Sequence, residues 1–153
     1  MIKIKPFKQS PGFCGPACLK MIFSYYGVEK SEKELARISK CSRKMGVNAK
    51  GLLSAARLLG FKGAVRDYSS FEEIESYLKK NVPVIVAWFS TDEKHYSVVV
   101  DIDREYIYLQ DPEIGRVRKL ELGIFKKTWF DFPGEFIKSI KDLVIRRIIV
   151  IHP

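Results

Sequence analysis

Cysteine, histidine and tryptophan are scarce in this chain of 153 residues, which holds three, two and two of them. So few cysteines, and an odd number, exclude a disulfide framework; in a reducing compartment each thiol either packs or does chemistry. Cys14 and Cys18 are spaced like metal ligands, but no second Cys/His pair stands where it could complete a zinc site, so no metal and no cofactor are expected. Long apolar runs are missing too. The uncharged stretch Asn81 to Ser90 falls far short of the ~20 residues of a membrane helix. Lys3, Lys5 and Lys8 interrupt any signal-peptide core, and Pro11, Gly12, Gly15 and Pro16 break the segment after it. These absences predict a soluble, unexported, cytoplasmic protein. There is no internal repeat, low-complexity run or Ser/Gly linker, so residues 1–153 are read as one domain. With 46% hydrophobic and 29% charged residues, the composition is that of a folded globule and not of a disordered chain.

Acidic residues are nearly absent from the first part. Residues 1–60 hold twelve Lys or Arg against Glu29, Glu32 and Glu34, a net +9, whereas residues 61–153 hold fifteen of each sign. A basic face attracts nucleic acid, anionic membrane or acidic polypeptide, and charge alone does not choose among them. No nucleic-acid reading motif accompanies the charge, so nucleic acid is not an expected partner.

What is present falls into two textures. Residues 14–26 form a dense apolar run that opens after Gly15-Pro16 and closes at Gly27, which predicts a buried helix. Ser31 with Glu34 three residues later is a capping box for a helix over 31–40. Asn48 caps a third helix ending at Gly60. Beyond residue 62, Ala64–Tyr68 reads as a strand, and Ser70 opens an amphipathic helix over Phe71, Ile74, Tyr77 and Leu78. Pro83–Phe89 is a β-branched and aromatic run suited to a strand covered on both faces. Tyr96–Ile102, Tyr106–Gln110, Arg116–Leu120 and Arg146–Ile151 read as further strands, and Leu122–Trp129 as a helix. A helical N-terminal half facing a mostly antiparallel C-terminal sheet is an α+β arrangement with a cleft between the halves.

The candidate chemistry lies at that cleft. Cys14 starts the first helix, where unpaired backbone N–H groups and the positive end of the helix dipole stabilise a thiolate. Cys18 is read as its core neighbour and Cys41 as an incidental thiol. His95 stands just before the strand Tyr96–Ile102, and Asp111 closes the strand Tyr106–Gln110 one hairpin later. Antiparallel pairing brings those two ends together. Asp111 then orients one ring nitrogen of His95 while the other faces Cys14, the nucleophile, base and orienter arrangement of covalent acyl transfer. Gln9 and the backbone N–H of Cys14 are placed to serve a developing oxyanion.

These residues, in this order, resemble the C39 peptidases, papain-like cysteine proteases that mature double-glycine leader peptides and are often fused to an export ATPase. The likeness runs over nearly the whole chain. It includes Gln9, Cys14-Gly15, Tyr25-Tyr26-Gly27, Gly46-Val47-Asn48, Leu59-Gly60-Phe61, Pro83-Val84-Ile85-Val86, His95-Tyr96-Ser97 and Asp111-Pro112. The resemblance implies a papain-like fold and attack by Cys14 on the carbonyl after a small-residue, Gly-Gly-like pair. It makes His95 the proton shuttle, Asp111 its orienting acid and Gln9 an oxyanion donor. The implied partners are a peptide or protein substrate, such as an acidic or amphipathic leader, and a separate export transporter. Phe13 stands where the transporter-linked members usually carry an acid, and Gln9 sits slightly nearer the cysteine than their glutamine does. In both respects the segment is closer to the broader C39-like group. A catalytically silent peptide-binding module on the same fold is the alternative reading, and a nucleic-acid-binding domain the weaker one.

Overall fold

A computed structural model describes residues 1–153. Three helices come first, α1 (Cys14–Tyr25), α2 (Glu32–Ser39) and α3 (Ala49–Leu58). Then follow β1 (Lys62–Arg66), α4 (Phe71–Lys79), β2 (Val84–Ser90), β3 (Glu93–Ile102), β4 (Tyr106–Asp111) and β5 (Arg116–Glu121). The chain ends with α5 (Leu122–Thr128), β6 (Phe130–Asp131), a 3-10 turn at Ile140–Asp142, β7 (Val144–Ile145) and β8 (Ile148–His152). The fold is α+β. Six strands form one antiparallel sheet in the order β1-β8-β2-β3-β4-β5, and β6 pairs with β7 in a separate two-stranded hairpin.

The capped helices begin where their sequences say. Ser31 Oγ accepts from Glu34 N, Asn48 Oδ1 from Gly51 N and Ser70 Oγ from Glu73 N, caps worth about 1 kcal/mol each. The central strand β2 is covered on both faces, as its unbroken apolar run requires. Ile85 and Ala87 join α1, α3 and the N-terminal Ile2 and Ile4 in one core. Val84, Val86 and Trp88 join Ile74, Phe125 and Trp129 in another on the opposite face. At roughly 1.5–3 kcal/mol for each fully buried large apolar side chain, these two layers fix the sheet and hence the residues it carries. No helix is long and apolar enough to cross a membrane.

The structure departs from the sequence reading in four places. The first strand runs Lys62–Arg66 instead of 64–68, because Tyr68 turns the chain with φ 56°. β3 starts at Glu93, so His95 lies inside the strand and not before it; pairing with β2 as far as Ser90↔Glu93 extends the ladder past the apolar run. The segment 130–145 contributes the β6–β7 hairpin, too short to carry a periodic signal. The alternation of Ile2 and Ile4 with Lys3 and Lys5 marks a buried N-terminal segment, whose Ile2 N–H bonds Val100 O at 2.8 Å.

Candidate active site

The site is built from four pieces of chain that the fold brings to one end of β3. The first is the turn before α1. Ser10 donates to Glu32 through its backbone N–H at 2.8 Å and its hydroxyl at 2.6 Å, so the first turn of α2 grips this turn. Gly12 has φ +79°, and a Cβ there would stand 2.3 Å from the carbonyl oxygen of Arg43, so backbone packs on backbone. Gln9 N–H donates to Pro112 O at 2.8 Å, tying the turn to the residue after Asp111.

The second piece is the N-terminus of α1. Unlike α2, α3 and α4, this helix has no side chain capping its start, and unlike α2 and α4 it has no acid in its first turn. The first-turn N–H groups and the positive end of the dipole are therefore left to Cys14, which is half-buried. Gly15 is required for the approach: a Cβ would lie 2.4 Å from Val47 Cγ1 and 3.1 Å from Leu52 Cδ2. Val47 is held in turn by its carbonyl, which accepts from Tyr96 OH at 3.0 Å.

The third and fourth pieces are β3 and β4. Register places Val98 opposite Gln110, so His95 and Asp111 meet as diagonal neighbours at the end of the ladder. His95 Nε2 lies 2.5 Å from Asp111 Oδ1, and the two side chains are 3% and 0% exposed. With Nε2 committed to Asp111, Nδ1 is the nitrogen left for the thiol. Trp88, directly opposite His95 on β2, packs edge-on at 5.9 Å between ring centroids and donates its indole N–H to Ser97 Oγ at 3.0 Å. The imidazole is thus walled on one side and aimed by the other strand.

Electrostatics follow this geometry. Burial opposes a charge on His95. Hydrogen bonds to Asp111 and then to Cys14, with the charges of both, outweigh it and lift the imidazole to about 10. Burial likewise works against the Asp111 carboxylate. Hydrogen bonds from His95, Glu113 N–H and Arg118, together with the imidazolium charge, hold it below the ordinary range. Burial drives the Cys18 thiol well up and lifts Cys41 to about 11, so neither is set up to ionise.

All four sequence-selected residues therefore lie in one region: His95 and Asp111 are hydrogen-bonded, and Cys14 is near enough to bear on the imidazole. Gln9 is tied to the same region through its backbone. Its side-chain N–H donates to Ser10 O at only 3.4 Å, and its Oε1 is buried without a partner. Cys18 is wholly buried in the core beneath α1, and Cys41 Sγ rests 3.7 Å from Gly12 O. Trp129 is 1% exposed and belongs to the core.

Sequence reasoning missed Glu113 and Arg118. Arg118 Nε donates to Asp111 Oδ2 at 2.6 Å, and Glu113 Oε2 lies 3.6 Å from Arg118 Nη2 and 3.9 Å from His95 Nε2. The signal was the alternation of Arg116 and Arg118 on a strand hairpinned to Asp111. His95, Asp111 and Glu113 also bring three metal-type ligand atoms within 4.8 Å of one another. The Arg118 guanidinium already serves the two carboxylates as their cation.

The family model of the Peptidase C39 family matches residues 7–132. The lactococcin-G-processing and transport ATP-binding protein LagD of Lactococcus lactis is 30% identical over 127 residues, 80% of this chain, which spans 17% of that protein's length. An uncharacterized protein of Methanothermobacter marburgensis is 34% identical over 125 residues, 80% of each chain. Among solved structures, the peptidase domain of Streptococcus ComA superposes with a TM-score of 0.77 at 23% identity over 99% of both chains. A double glycine motif protease from an AMS/PCAT transporter, in complex with its leader peptide, gives 0.74 at 24% identity over 99% of this chain and 93% of that one. With most of its length matched by the family model, and its fold shared with peptidase domains of that kind, the chain belongs to the peptidase C39 family.

Proposed function

We propose that the chain is a cysteine peptidase in which Cys14 is the nucleophile, His95 the acid–base and Asp111 its orienting carboxylate. The observation that carries this reading is the buried bond from His95 Nε2 to Asp111 Oδ1, with Cys14 near enough to help lift the imidazole to about 10. The pair reacts in its thiolate–imidazolium form, the imidazolium being the state His95 holds at neutral pH. The Cys14 sulfur attacks the peptide carbonyl carbon, the C–N bond breaks, and His95 gives its proton to the departing amine. Water then attacks the thioester, with His95 taking its proton, and the acid leaves with Cys14 restored. An amine in place of water would make the same residues an acyl transferase.

The oxyanion is received by the backbone N–H of Cys14 and the Gln9 amide, whose present bond to Ser10 O is long enough to be exchanged. The substrate is a peptide or protein cleaved after a small-residue, Gly-Gly-like pair, as a leader peptide is. The relatives that carry processing and transport names support an export transporter as a partner. Action on the cytoplasmic side and a single 1–153 peptidase domain belong to the same reading. No cofactor takes part.

Alkylation by iodoacetamide, resolved by cysteine and by pH, tests this directly. Cys14 should react through the mildly acidic range while Cys18 and Cys41 stay silent, and His95→Ala should abolish that acidic reactivity. Cys14→Ser should fold as the parent does and fail to cleave a Gly-Gly-containing peptide. A slow Cys14 whose reactivity rises only in alkali would reject the peptidase and favour a silent peptide-binding module.

A further inference from the structure

We propose that Arg118, on the edge strand β5, is a positioning residue that holds the Asp111 carboxylate in the one orientation presenting Oδ1 to His95. The proposal rests on the reading above, that His95 acts on Cys14. The two oxygens of Asp111 are divided between partners. Oδ1 takes His95 Nε2 at 2.5 Å and Glu113 N–H at 3.0 Å, and Oδ2 takes Arg118 Nε at 2.6 Å. Contacts to Oδ1 alone leave a carboxylate free to swing about its last torsion; a donor on Oδ2 fixes its plane.

Register explains how the arginine arrives. Arg118 stands opposite Leu109, two residues before Asp111, so it is the diagonal neighbour of Asp111 on the same face. The side chain of Asp111 is fully buried while that of Arg118 is 27% exposed. The ion pair therefore acts on a desolvated carboxylate, where it is worth far more than between two exposed groups.

The charges around Asp111 form an alternating set: His95 on β3, Glu113 after β4 and Arg118 on β5, with the thiols of Cys14 and Cys18 facing from α1. Glu113 touches both cations and keeps Arg118 turned toward Asp111. Arginine suits this place because Nε and Nη2 of one planar head serve two carboxylates at once; a lysine ammonium supplies the charge without that fork.

The test compares the parent with Arg118→Gln and Arg118→Lys, by steady-state cleavage of a Gly-Gly-containing peptide and by pH-resolved alkylation of Cys14. In Arg118→Gln, kcat falls by roughly 10–100-fold with KM nearly unchanged, as for loss of other orienting partners. The acid limb of Cys14 alkylation moves toward neutrality, because a carboxylate without its cation takes up a proton at higher pH. Arg118→Lys recovers part of both effects. A parental kcat and acid limb in Arg118→Gln overturns the proposal. Where Arg118→Gln lacks the parent's unfolding midpoint, Arg118→Lys decides by the same two readouts. A parent without an acid-reactive Cys14 rejects the peptidase reading itself, a different result from an activated Cys14 that ignores Arg118.

Discussion

His95 and Asp111 are not opposite each other in the sheet; they meet on the diagonal between β3 and β4, with 2.5 Å between Nε2 and Oδ1. A shift of one residue in that register would send one of them to the other face of the sheet. The pair is consequently as well fixed as the ladder that carries it.

Replacing Asp111 by Asn keeps the shape and removes the charge that orients and stabilises the imidazolium. Turnover should fall on the order of 10⁴-fold, as in other nucleophile–base–acid sites. Measured kcat on a Gly-Gly-containing peptide checks this; parental turnover in Asp111→Asn would contradict the role given to Asp111.

The raised imidazole makes stability depend on pH with a definite sign. An unfolded histidine titrates near ~6.5, whereas His95 does so at about 10, so the folded state binds the proton more tightly. The contribution is complete below the unfolded value and is lost as pH rises through about 10. Urea midpoints taken from pH 6 to pH 10.5 should fall more steeply in the parent than in His95→Gln; parallel curves would remove the linkage.

Gly15→Ala tests the close approach of α1 to the 47–52 segment. The added methyl would meet Val47 Cγ1 at 2.4 Å and Leu52 Cδ2 at 3.1 Å. Overpacking of this kind costs about 1–3 kcal/mol. Chemical denaturation should show that loss, and Cys14 alkylation should slow because the sulfur shifts with its helix turn.

Glu32→Gln tests the grip of α2 on the turn before Cys14. Ser10 makes two short bonds to that carboxylate, and bonds to a charged group contribute about 1.5–3 kcal/mol each. Part of this should appear as a lowered urea midpoint. If Gln9 serves the oxyanion, kcat should drop further than the stability loss explains, with KM little changed; a kcat equal to the parent's would separate the turn from catalysis.

Much of this was legible in the sequence because the signals were local. The capping residues Ser31, Asn48 and Ser70 each mark a helix start, and the run Pro83–Phe89 marks a strand with two covered faces. Cys14 and His95 could be chosen because cysteine and histidine are scarce, and Asp111 because it closes the strand one hairpin after His95. The environment of the acid was not legible. Arg118 reaches Asp111 only through a hairpin register, and one-residue differences in that register decide which basic residue arrives. The β6–β7 hairpin was hidden for another reason: two residues on each side cannot display a period.

The uncapped start of α1 rests on the helical layer, while His95 and Asp111 ride the sheet, and side-chain packing joins the two layers with a few hydrogen bonds such as Tyr96 to Val47. Enzyme turnover is therefore a gauge of whether those layers are seated. Mild denaturant that loosens the seam should silence the protein while circular dichroism still reports every helix and strand, so inactivation would precede the loss of secondary structure.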